Sequence, residues 1–425
     1  MFKTLRNAWA IKEIRNKILF TIFILLVFRV GSVIPVPFIN VDALKTNSND
    51  FFNYLSILTG GGLQYGAIFA LSVTPYINSS IIVQLLTVVF TKLQEWSKEG
   101  EEGQKKLAQL IRYVTIGLAV IQGIAYYIYL ERSNFLTVKG TFAEIYAGIV
   151  LVSVFTAGSA LVMWLGEQID AKGIGNGISM ILFAGIISRA PDAAAYLWGM
   201  IGLEQYVQVA AVIIIFLAVI LFVVWMTAAE RRIAVQYAKR VVGNKMYGGQ
   251  NTHIPIKVNM SGVMPIIFAS SILMLPTMIL SFMGTPKPGF QESFAKVLGL
   301  FSVQGIFYAV VYFFLIIGFA YFYATIQFNP VEMANNLRKN GGAIPGIRPG
   351  QPTTDFISKI LSRITLLGAL FLSVVAILPI IVGNVGKINI ALGGTSMLIL
   401  VGVALDTVRS LESQMMMRHY KGFLD

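Results

Sequence analysis

Long apolar runs alternate with shorter polar stretches along the whole chain. The first run extends from Ile18 to about Val36, behind a segment bearing Lys3, Arg6, Lys12, Arg15 and Lys17. Nine more lie near residues 63–91, 112–130, 145–166, 177–190, 207–229, 261–283, 302–326, 359–383 and 391–408. Most approach the roughly 20 residues that an α-helix needs to cross a bilayer. The pattern predicts an all-α polytopic membrane protein with ten transmembrane helices. The first run ends in Pro35-Val36-Pro37 without a small-residue cleavage pattern, so it reads as a retained helix and not a signal peptide. Gly60-Gly61-Gly62 at the entrance of the second run, and Pro75 within it, predict a short half-helix followed by a full one. The fifth run is short and begins with Gly173-Ile174-Gly175-Asn176-Gly177.

Composition supports the same class. Of 425 residues, 56% are hydrophobic and only 12% are charged, about half the charge of an ordinary soluble domain. The charge is lopsided, with 33 Lys and Arg against 20 Asp and Glu, for a net +13. In a membrane protein this excess is topogenic, because Lys and Arg accumulate in cytoplasmic loops. An even number of spans puts both termini on one side, and the basic N-terminus makes that side cytoplasmic. Under this topology 25 of the 33 basic residues fall in the cytoplasmic termini and loops. Cysteine is absent and the histidines are only His253 and His419, so disulfides and a Cys/His zinc site are excluded.

The spans hold few ionisable groups. Carriers driven by protons or ions usually place Asp, Glu or His inside their helices, and that chemistry is nearly missing here. Arg29 lies inside the first span, where it either snorkels or pairs with a neighbouring helix. Glu167 and Asp406 fall at span ends, where solvation accounts for them. No G-x-x-x-x-G-K-[ST] loop, metal-ligand spacing or paired acidic cluster is present. The chain is therefore not expected to be an enzyme or to carry a cofactor.

The two sets of five spans contain a repeat. Val73-Thr74-Pro75-Tyr76-Ile77 in the second span matches Val263-Met264-Pro265-Ile266-Ile267 in the seventh. Gly177-Ile178-Ser179-Met180-Ile181-Leu182 in the fifth matches Gly394-Thr395-Ser396-Met397-Leu398-Ile399 in the tenth. An offset of five spans is odd, so matched helices cross in opposite directions. This is an inverted repeat, whose working site lies between the halves near the midplane. A lining of Ile, Val and Leu suits a constriction that blocks water and ions. The expected units are residues 1–190, an external hinge loop at 191–206, and residues 207–425. Two long loops, 230–260 and 327–358, mix basic and apolar residues; solvated positive-inside charge explains most of the individual Lys and Arg, while loops of this length are usually functional or disordered and the apolar residues point to docking of a cytosolic partner with an acidic or RNA-bearing surface.

These residues bring a family into view. Phe28-Arg29-Val30-Gly31-Ser32, Ile34-Pro35-Val36-Pro37, Gln84-Leu85-Leu86-Thr87-Val88-Val89, Trp164-Leu165-Gly166-Glu167-Gln168, Tyr237-Ala238-Lys239-Arg240, Lys257-Val258-Asn259-Met260 and Gly393-Gly394-Thr395-Ser396 carry the likeness. Over essentially its whole length the chain resembles the SecY family, the central subunits of bacterial protein-translocation channels. The resemblance implies two inverted five-helix halves around an hourglass pore, closed at its waist by an aliphatic ring. At the matching positions the ring is Val73, Ile77, Ile178, Leu182, Ile267 and Ile399. The plug, about residues 59–72, is marked by Thr59, Gly60, Gly61, Gly62, Leu63, Gln64 and Tyr65. Its three glycines suit a movable, loosely packed element. A lateral gate is implied between spans two and three and spans seven and eight. Gln122 is a candidate polar gate residue, and an ordinary interhelical hydrogen bond explains it equally well. Arg348, with Arg231, Arg232, Lys239 and Arg240 in the other loop, matches positions that engage the SecA ATPase and the ribosome. Other implied partners are SecE, SecG, signal sequences, unfolded polypeptides and membrane lipids, at the bacterial plasma membrane.

Overall fold

The computed structural model describes residues 9–46, 60–138, 140–202, 205–237, 240–242, 245–247, 251–260, 262–283, 297, 299, 301, 305–386 and 394–421. Each of the ten apolar segments holds a helix. In chain order the helices are α1 (Lys12–Gly31), a short α2 (Val41–Thr46), α3 (Thr74–Val89), α4 (Thr91–Lys98), α5 (Glu101–Arg132), α6 (Thr141–Lys172), α7 (Gly177–Ile187), α8 (Ala190–Gly202) and α9 (Tyr206–Ala228). After a stretch of strands come α10 (Met264–Met283), α11 (Ile306–Gln327), α12 (Pro330–Lys339), α13 (Gln351–Gly386) and α14 (Gly394–Lys421). Among the described residues, six helical stretches are long and apolar enough to cross a membrane. A seventh is the bent pair α3 and α4, which turns by 104°. The helix α1 falls short of that standard because any 18 consecutive residues of it include Arg15, Lys17 and Arg29.

Two expectations are corrected. Residues 60–73 form a chain of tight turns, not a half-helix. Gly60, Gly61, Gly66 and Ser72 all have positive φ (65°, 90°, 54° and 48°), and a right-handed helix cannot propagate through such residues. The segment expected to be a hinge loop is mostly the helix α8, joined to α7 by the short break at Ser188 and Arg189.

Strands were absent from the expected all-helical plan, yet the two long loops meet as a sheet. Strand β1 (Glu230–Tyr237) pairs antiparallel with β4 (Asn251–Lys257), in a register that sets Ile233 opposite Ile254. Between them β2 (Arg240–Val242) and β3 (Lys245–Tyr247) form a hairpin. On its other edge β1 accepts β5 (Gly342–Ala343) from the second loop, with Gln236 opposite Ala343. Alternate side chains of a strand face one side; here Ile233, Val235 and Ile256 pack against Leu337, Ile344, Ile357, Leu361 and Ile364. That small core fixes the sheet to the start of α13.

The helix starts carry the internal repeat. Pro75 lies in the first turn of α3 and Pro265 is the second residue of α10, where proline's missing N–H costs nothing and its fixed φ suits the helix. The matched Gly177 and Gly394 are the first residues of α7 and α14. Ser72 and Gly262, one residue before the matched valines, are both left-handed, at φ 48° and 61°.

Candidate functional site

All six ring candidates fall in one apolar cluster. Val73 caps α3 and Ile77 follows one turn later, its N–H donating to Val73 O at 3.0 Å. Ile267 repeats this at the start of α10, donating to Val263 O at 3.2 Å. Ile178 and Leu182 occupy the first two turns of α7, whose cap Asn176 accepts from Ser179 N at 3.0 Å, a common way to satisfy a free helix-end donor. Ile399 comes from the second turn of α14. Val73, Leu182 and Ile399 are buried, while Ile77, Ile178 and Ile267 are half-buried against the same cluster. Val263 packs there as well. Sequence reasoning passed over it, although it is the repeat mate of Val73.

Phe28 and Phe69 belong to the same cluster. The rings of Phe28 and Phe69 stack with centroids 6.1 Å apart. Gly158 lets α6 close on the turn chain, since a Cβ there would stand 2.1 Å from Ile68 O.

The plug candidates are packed firmly, contrary to the expectation of a loose element; Thr59 lies outside the described residues. Gly60 through Leu63 are buried, and Gln64 and Tyr65 are half-buried. Arg29 donates through Nη1 to Gly60 O at 2.7 Å, which makes it a buried-end anchor and not a snorkelling residue. Ser188 Oγ reaches the same carbonyl at 3.4 Å. Arg189 Nη2 donates to Gln64 Oε1 at 2.6 Å, and Tyr126 OH donates to Leu63 O at 2.6 Å. The glycine at 60 has a steric purpose. A Cβ there would lie 2.8 Å from Gly185 Cα, and the residue already has positive φ.

Two further groups lie away from the ring. Glu167, expected to be merely solvated, forms a two-pronged ion pair with Arg112 at 2.7 and 2.9 Å. Asp170 accepts from Gly177 N at 2.7 Å, tying the end of α6 to the start of α7. Gln122 is half-buried on α5. One hydrogen bond that does join the first five spans to the last five runs from Tyr323 OH on α11 to Gln84 Oε1 on α3.

The basic candidates are on or beside the sheet. Arg231 and Arg232 are exposed on β1, and Arg232 Nε donates to Glu230 Oε1 at 2.7 Å. Arg240 opens β2, and Lys239 lies outside the described residues. Arg348 is exposed in the turn between β5 and α13, its carbonyl accepting from Thr353 Oγ1 at 2.9 Å. The β1–β5 pairing thus brings the two loops onto one surface. Among the described residues no group of three His, Cys, Asp or Glu could hold a metal ion.

Comparison with known proteins agrees with this arrangement. The SecY family profile matches residues 67–408. The protein translocase subunit SecY of Bacillus subtilis (strain 168) is 44% identical over 440 residues, covering 100% of each chain. A solved structure of a protein-conducting channel superposes with a TM-score of 0.67 at 18% identity, over 94% of this chain and 92% of the other. Sec61 in a canine ribosome–channel complex superposes at 0.64, also at 18% identity, over 94% and 92%. On the family profile and full-length identity together, the chain belongs to the SecY family.

Proposed function

We propose that this chain is the pore-forming subunit of a protein translocase. It conducts unfolded secretory polypeptides across the plasma membrane and releases transmembrane segments sideways into it. The observation that carries this reading is the convergence of six aliphatic side chains, from both members of the internal repeat, in one cluster. An aliphatic constriction holds back water and ions without offering a polar solute any partner. It can also fit itself around an extended chain of any sequence, because apolar contact is non-directional.

The basic loops support an orientation with the sheet and both termini in the cytoplasm. There Arg231 and Arg232 on β1 and Arg348 beyond β5 belong to one docking surface, with Arg240 in the neighbouring hairpin, suited to SecA and to the ribosome. SecE and SecG are the expected membrane partners. The segment of about residues 59–72 acts as the plug, and the bonds from Arg29, Ser188, Arg189 and Tyr126 to Gly60, Leu63 and Gln64 hold it in place. No enzymatic step belongs to the chain, so energy enters through the docked motor or through elongation.

The test is reconstitution of the chain with SecE and SecG in sealed vesicles, with SecA and ATP outside. A secretory precursor should become protected from added protease, and only when this chain is present. Continued degradation of the precursor, with uptake of a small solute that depends on the chain, would instead make it a solute transporter.

A further inference from the structure

We propose that Asp170 is a positioning residue of the aliphatic seal. By capping α7 from the end of α6 it sets where Ile178 stands in the ring, and so how tightly the resting channel holds back ions. The inference rests on the translocase reading above and adds to it a residue outside the ring itself. It comes from the Gly173–Gly177 segment, which links α6 to α7. Gly175 takes a left-handed conformation there, with φ 78°. Gly177 is buried at the first position of α7. A Cβ on it would lie 1.9 Å from Gly166 O on α6, so the two backbones touch. Ile178 comes next and lies over Gly166, where a Cβ would stand 2.7 Å from Ile178 Cδ1. From α1, the buried Thr21 Oγ1 accepts from Ile174 N at 3.2 Å.

The first N–H groups of a helix have no partner within it. In α7 the cap Asn176 takes Ser179 N, and Gly177 N is left to Asp170, whose Oδ1 accepts it at 2.7 Å. The helix dipole favours a carboxylate at this end as well. Because Asp170 belongs to α6, the bond fixes the first turn of α7 to a second helix. Ile178 lies in that turn and Leu182 one turn further on, in a helix of only 11 residues. Helix ends fray, and one that has lost a cap frays more. Without the Asp170 bond, the turn that carries Ile178 opens more often, and one wall of the ring leaves its place. Asp170 itself is exposed, so removing its side chain empties no core. What is lost is the bond.

The experiment records the resting ion conductance of the full chain, with its partner subunits, in a planar bilayer. Asp170→Ala and Asp170→Ser, whose side chains stop short of Gly177 N, should each raise it about fivefold, as expected from losing one helix cap. Asp170→Asn keeps an acceptor of the same reach and should stay within about twofold of the unaltered chain. Glu167→Gln, at the same end of α6, weakens the ion pair with Arg112 and leaves the bond to Gly177 intact, so it should change nothing. In an Ile178→Gly background, already leaky, Asp170→Ala should add nothing, because both act on the same wall. Unchanged conductance in Asp170→Ala and Asp170→Ser overturns the proposal. So does an equal rise in Asp170→Asn or Glu167→Gln, which would make the effect one of charge or of a loosened helix end. An Asp170→Ala effect that persists in full beside Ile178→Gly also overturns it, since the residue would then not act through the ring. If Ile178→Gly alone leaves the conductance unchanged, the ring of the translocase reading fails and the proposal falls with it.

Discussion

Ile77, Ile267 and Ile399 reach the same cluster from three helices that are far apart in sequence. Each belongs to the first or second turn of its helix, so a few hydrogen bonds near the helix start fix its position. Full burial of an Ile or Leu side chain contributes about 1.5–3 kcal/mol, and a change of 1.4 kcal/mol is tenfold in an equilibrium constant. Replacing these three isoleucines with glycine should therefore raise the resting ion conductance of the purified channel roughly tenfold or more. A bilayer recording with unchanged conductance would remove them from the seal. Four of the six clustered side chains, Ile77, Leu182, Ile267 and Ile399, were legible in the sequence because Pro75 and Pro265, or Gly177 and Gly394, mark equivalent helix starts two and five spans into each half; Val73 and Ile178 came from the family resemblance. The contacts that hold residues 60–65 were not legible. Arg29 and Gly60 are 31 residues apart, and Arg189 and Gln64 are 125 apart. Nothing in a local pattern pairs them.

At the scale of elements, the sheet joins two loops whose strands β4 and β5 are separated by α10, α11 and α12 and by more than 80 residues. Its alternation was present in the sequence, with Ile233, Val235 and Tyr237 on one strand and Ile254 and Ile256 on the other. Interleaved Arg, Gln, Thr and His disguised it as a charged loop, and β5 is too short to show any period. Helix positions were easier to read, because an apolar run of about 20 residues has few alternatives in a membrane chain. Helix ends were harder: α5 starts at Glu101, well ahead of its apolar core, because water-exposed turns extend it. The sheet gives Arg348 a defined setting, exposed beyond β5 and anchored through its carbonyl to Thr353. Reversing that charge leaves the small apolar core beneath untouched. Arg348→Glu should reduce motor-driven export at least about tenfold, as for loss of a charged anchor at an interface, with unchanged expression and melting temperature. Export at the unaltered rate would take Arg348 out of the docking surface.

For the whole molecule, the halves meet at the aliphatic cluster and, among the other contacts between described residues, at two places of different character, one of them the seam between α3 and α11. On one side Tyr323 and Gln84 cross the seam. On the other, α1 and α14 lie together: Ile14 and Leu411 share a small core with Ile174, and Lys17 Nζ donates to Gln414 Oε1 at 3.2 Å. If the halves part at the seam, the second contact serves as the pivot. The absence of native cysteine makes this direct to test, since engineered cysteines have no competitors. Bridging Cys residues at positions 84 and 323 with a short bifunctional reagent should abolish export. The same reagent between positions 17 and 414 should leave it close to normal. Loss of export from the second bridge would show that the parting runs through the chain ends instead.

The placement of Ile399 in α14 has a consequence for how a new copy is made. Every other member of the ring has been synthesised by residue 267, and Ile399 follows 132 positions later. At roughly 5–20 residues per second, a growing copy spends about 7–26 s with one wall of its seal missing. A nascent copy arrested between these points should be a leaky intermediate, because α14 supplies Ile399 to the proposed ring.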